Sequence, residues 1–165
     1  MLLIAGTSTQ KVLGVLTAGS GLPAALEALN VQQGLTLPRM ATHQIIAQNV
    51  TPEVSDLSTV NNYPLVYVYC TKVVNELREK FRTFSGEAQM VVEARVSQDR
   101  LDQIETNLQA YADAITQVLD DNRGDWGDGI FFDGGYEVTF GGVKHGGRNF
   151  LQIAKIAFLL EISAG

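Results

Sequence analysis

The chain has one cysteine, Cys70, which excludes an intrachain disulfide and a multi-cysteine metal site. Histidine is almost as scarce: His43 and His145 are the two imidazoles available as catalytic bases. No run approaches eighteen consecutive apolar residues, and Met1-Leu-Leu-Ile-Ala lacks the basic start and length of a secretory signal, so neither a membrane span nor export is expected. Positive charge is in deficit, 12 Lys and Arg against 18 Asp and Glu, and the resulting −6 argues against nucleic acid or an acidic membrane as the main partner. Apolar residues make up 45% of the 165, too many for disorder and enough for the core of one domain.

Glycine, by contrast, is concentrated: nine of the 16 lie between Gly124 and Gly147. Residues 1–60 carry only five charges and three of the four prolines. In that part Gly21-Leu22-Pro23 leads into Ala24–Leu29, predicting a short helix with proline in its first turn. Residues 34–60 break every period and read as an extended arm, with a short strand near 44–48. The organisation expected is an N-terminal helix and arm over 1–60 and a core over 61–165, within one structural domain.

In the core, Leu65–Thr71 is a β-branched and aromatic run with both faces apolar, which predicts a central strand. Ala88, Met90, Val92, Ala94 and Val96 alternate with Glu87, Gln89, Glu93 and Arg95, the pattern of a half-buried strand. Leu101, Ile104, Leu108, Tyr111, Ile115 and Leu119 recur at three- and four-residue steps, predicting a helix over 99–121 with Ser97 or Asp99 as N-cap. Residues 124–135 read as Asp-Gly turns, 136–141 as a strand, 141–147 as a loop and 151–162 as a last strand. The fold class is therefore α+β, a mostly antiparallel sheet with a long helix and a short N-terminal helix on one face. Ile104, Leu108, Tyr111 and Ile115 are expected to pack on Val68, Met90, Val92, Phe158 and Leu160.

Motifs for chemistry fail on context. Ser20 is not in a G-x-S-x-G elbow, and Cys70 sits inside an apolar strand, where a thiol is inert. Gly141–Gly147 lacks the lysine placement and following helix of a phosphate loop. Asp121, Asp125, Asp128 and Asp133 miss the calcium-loop template, whose twelfth position would be Phe132. No catalytic, metal or cofactor site is assigned.

A charge asymmetry remains. Six acids face one arginine between Ser97 and Asn122, whereas 138–160 holds Lys144, Arg148 and Lys155 and no acid. Lys144, His145 and Arg148 are thus candidates to meet Asp102, Glu105 and Asp113 of a neighbouring copy. Trp126, in a glycine-flanked turn, is the candidate apolar contact; the alternative is that it folds back on its own sheet.

The order short helix, Tyr63-Pro64-Leu-Val-Tyr-Val-Tyr, Gly86–Ser97, long helix to Asn122, and Gly135-Tyr136-Glu137-Val138 to Asn149-Phe150-Leu151-Gln152 resembles the tail terminator proteins of the tailed-bacteriophage neck. The resemblance covers about residues 60–165. It implies a structural virion protein, made in the host cytoplasm, that needs no cofactor. Such a subunit forms a ring, typically a homohexamer, that caps the tail tube and stops its growth. The ring also offers a surface to the head–tail connector, while DNA passes through its lumen unbound. Another head–tail joining or minor tail protein, or a small ligand-binding enzyme, are the alternatives.

Overall fold

The computed structural model describes residues 3–54, 63–146 and 149–165. Its elements are α1 (Ile4–Thr17), α2 (Leu22–Gln33), β1 (Ile45–Ala47), β2 (Leu65–Asn75), β3 (Phe84–Gln98), α3 (Ile104–Asp121), β4 (Gly124–Gly127), β5 (Ile130–Phe132), β6 (Tyr136–Phe140), β7 (Lys144–Gly146) and β8 (Asn149–Ala164). Together they form an α+β domain with an eight-stranded mixed sheet, antiparallel throughout except where β1 runs parallel to β2. One edge of β8 pairs with β3 along its whole length; the other pairs in turn with β7, β6 and β5.

The helices share one face. There α1 lies over β1 to β3, α3 lies over β3 and β8, and α2 packs on both helices. The expected core is present: Ile104, Leu108, Tyr111 and Ile115 are buried with Val68, Met90, Val92, Phe158 and Leu160. Strict alternation along β8, with Ile156, Phe158, Leu160 and Ile162 buried and Lys155, Ala157, Leu159 and Glu161 exposed, sets that face. Burial pushes the Tyr111 phenol up to about 12.

Several expectations need correction. The N-terminal region holds two helices, not one. Ser8, Val12 and Leu16, spaced by four, give α1 its buried stripe, and Ala18–Gly21 turns the chain into α2. Residues 4–33 contain an 18-residue window of mean hydropathy at least 1.2 and could cross a membrane by length and composition alone. The break at Ala18 leaves helices of 14 and 12 residues, each short of a span, and Val12, Leu16, Leu22 and Leu26 are spent in the core. The long helix starts five residues later than expected. Gln103, at φ 63, takes the N-cap position in place of Ser97 or Asp99, and Leu101 lies 57% exposed before it. Gln98 closes this turn by donating to the carbonyls of Arg100 and Asp102 at 2.7 and 2.6 Å.

The glycine-dense stretch 124–132 is a hairpin, not a run of turns. Asp128 and Gly129, both at positive φ, make the two-residue connection. A Cβ at Gly129 would lie 2.0 Å from the Ser163 carbonyl oxygen, so only glycine fits. The expected loop 141–147 contains β7. Lastly, β3 is buried on both faces at its C-terminal half, where Val91, Glu93 and Arg95 sit opposite the helices.

If α3 begins at Ile104, Leu108→Ala should cost about 2–5 kcal/mol in urea unfolding, whereas Leu101→Ala should change stability by no more than about 0.5 kcal/mol.

Candidate functional site

Strand alternation puts Tyr67 and Tyr69 of β2, Glu93 and Arg95 of β3, and Ile153 and Lys155 of β8 on the helix-free face. Over them runs the arm from β1. Leu65, Tyr67, Tyr69 and Val91 form a second small core there, with Ile46, Val50 and Tyr63 packed against it. The Gln44 side chain ties the base of the arm, accepting from Ala41 N–H at 2.8 Å and donating to the Pro64 carbonyl at 3.0 Å.

At the centre is a buried ion pair. Arg95 Nε donates to Glu93 Oε2 at 2.5 Å, and the two side chains are 2% and 5% exposed. Arg95 Nη2 donates to the Val50 carbonyl, and the guanidinium carbon lies 4.1 Å from the centre of the Tyr67 ring. The Tyr69 hydroxyl donates to Glu93 Oε1 at 3.0 Å, and Lys155 Nζ reaches the same oxygen at 3.7 Å. Burial first, then the Glu93 charge, pushes the Tyr69 phenol well above the usual range, so it acts as a donor. Arg95 Nη1 has no hydrogen-bond partner among the described residues. The alternation that assigns Glu93 and Arg95 to a solvated face says nothing of the arm that covers them. Arg95 therefore works as the clasp holding residue 50 to the sheet.

Between this cluster and the arm lies a groove of about 610 Å³, lined by Val50, Pro52, Glu53, Lys144, Leu151 and Ile153 among others. A backbone hydrogen bond, with help from Thr51, holds the Glu53 carboxyl below its usual range.

The residues expected from the sequence at a subunit contact are distributed as follows. Asp102 is exposed in the turn before α3, Glu105 and Asp113 are exposed on α3, and Lys144 and His145 are exposed on β7. Among the described residues none of the five is in an ion pair; Arg148 lies outside the described residues. Lys144 joins the groove, which sequence spacing does not reveal. Trp126 does find room in its own subunit: its ring is 5.5 Å from Phe132 and its Nε1–H donates to the Asn122 carbonyl at 2.6 Å. The aspartates 125 and 133 accept from the N–H groups of Gly127 and Gly135, the turn role expected of them. Burial pushes the Cys70 thiol up, away from the reactive thiolate. Among the described residues no three His, Cys, Asp or Glu side chains cluster as metal ligands.

No protein-family model matches the chain, and no curated protein matches its sequence.

Arg95→Met should cost about 3 kcal/mol in urea unfolding, because it leaves the buried Glu93 carboxylate with only the Tyr69 hydroxyl and the more distant Lys155. Limited proteolysis should then cut within 49–53. Adding Glu93→Gln should recover much of the loss.

Proposed function

We propose that the chain is a structural subunit of the phage neck, a ring-forming tail terminator that caps the tail tube, stops its polymerisation and presents a surface to the head–tail connector. The observation that carries this reading is unneutralised charge of both signs on one subunit. Asp102 in the turn before α3, Glu105 and Asp113 on α3, and Lys144 and His145 on β7 are exposed without ion-pair partners among the described residues. Two patches of opposite sign on one subunit suit head-to-tail contacts, which repeat until a ring closes. The six-fold ring, the tail tube and the connector as partners, and a place in the virion come from the resemblance. The α+β domain with its long helix on one sheet face agrees with what that resemblance implies for residues 60–165.

Exposed apolar side chains add support. Tyr136 and Phe140, on the helix side of β6, are 39% and 45% exposed. Two aromatics on one face of a glycine-flanked strand suit contact with a neighbour. The net charge of −6 suits a lumen along which DNA slides without sticking. Trp126, already packed on Phe132, takes the smaller share of the contact and these aromatics the larger.

Native mass spectrometry tests this reading. Wild type at raised concentration should give a closed oligomer. Lys144→Glu should weaken it at least fivefold, and Asp102→Lys with Glu105→Lys should partly restore it. Equal assembly by all three forms would remove the charge contact.

A further inference from the structure

We propose that the Arg100–Gln103 turn of one subunit seats Leu101 in the groove beside Arg95 of a second copy, joining copies head to tail. This deepens the ring reading above and rests on it, since Asp102 and Glu105 then meet Lys144 as that reading requires.

The turn is held from within. Gln98 Nε2 donates to the Arg100 and Asp102 carbonyls, on either side of Leu101, at 2.7 and 2.6 Å. Asn107 Nδ2, on α3, steadies that amide by donating to Gln98 Oε1 at 3.4 Å. The Leu101 carbonyl itself accepts from Ile104 N–H at 3.4 Å, and Gln103, at φ 63, turns the chain into the helix. The backbone around Leu101 is therefore fixed before any partner arrives, and its side chain is left 57% exposed. A preorganised apolar anchor binds at little entropic cost.

The groove matches this turn in shape and in charge. Its walls are apolar, from Val50, Pro52, Leu151 and Ile153, and its volume of about 610 Å³ is in the range that encloses a group of several side chains. Three cations line it, Arg95, Lys144 and Lys155, against two acids, Glu53 and Glu93. Glu93 is already answered by Arg95, Tyr69 and Lys155, which leaves Lys144 and Glu53 open. The turn carries both opposite signs, with Arg100 before Leu101 and Asp102 and Glu105 after it. These three and the groove's Lys144 and Glu53 are exposed and in no ion pair among the described residues. With Leu101 seated and the two acids toward Lys144, Arg100 is left for Glu53, and the charge pattern fixes the orientation. The groove is on the helix-free face, whereas the turn leads from the end of β3 onto the helix face. Donor and receptor are thus different surfaces, so the contact is heterologous and each added copy offers the next groove until the chain closes.

The test uses the full chain with Cys70→Ser, Glu53→Cys and Arg100→Cys, oxidised in air at millimolar concentration. The expected result is a covalent ladder ending in a closed species, while each single-cysteine chain stops at a dimer. Adding Leu101→Ser should cut the ladder at least tenfold and move the melting temperature by no more than about 2 °C, because an exposed leucine contributes little to its own fold. Suppose wild type assembles in native mass spectrometry and Lys144→Glu weakens it. If the two-cysteine chain then gives nothing beyond a dimer, or Leu101→Ser makes no difference, this seat is wrong and the ring reading stands. If wild type stays monomeric, both fall.

Discussion

Fifteen consecutive residue pairs join β3 to β8, from Phe84 opposite Ala164 to Gln98 opposite Phe150, and the rest of the molecule is arranged along that seam. Because side chains alternate, the register decides both faces at once: Met90, Val92, Ile156 and Phe158 go to the helices, and Glu93, Arg95, Ile153 and Lys155 to the arm. A slip of one residue would bury Lys155 and Glu161 under α3 and turn the apolar set into solvent. The seam also sets a length. It places the hairpin tip and the groove at its two ends, and it leaves the second edge of β8 for three short strands in succession.

How much of this was legible depends on where each signal resides. Ile104, Leu108, Tyr111 and Ile115 announce α3 because a helix face and its period lie within one segment. The start of α3 is harder: Ser97 and Asp99 have the chemistry of a cap, but β3 continues to Gln98 and the chain needs Arg100–Gln103 to turn over the sheet edge. In α1 the buried positions are Ser8, Val12 and Leu16, and Gly6 and Gly14 lower its helix propensity, so the local signal is weak and packing supplies the rest. Asp128-Gly129 between Trp126 and Ile130 carries a hairpin signal, but the surrounding glycines hide the strands on either side.

The candidate site was the least legible part. Glu93 and Arg95 sit two apart on a strand, as any pair on a solvated face would. Their burial comes from residues 45–53, forty or more positions earlier in the chain. A buried ion pair is weak as a source of stability but strict about geometry, and here it fixes the arm at Val50 and so shapes the groove. The charged patches on α3 and β7 were visible in composition. That Lys144 faces the groove, and that Trp126 packs on Phe132, required the tertiary structure.

In the proposed reading, exposed charge and exposed aromatics on one subunit are completed by further copies of the same chain on a tail tube. Negative-stain electron microscopy of tail tubes mixed with the purified chain tests this most directly. The account predicts a ring of identical subunits at one end of each tube, with tube growth halted there. Tubes that stay bare and continue to lengthen in excess chain would contradict it.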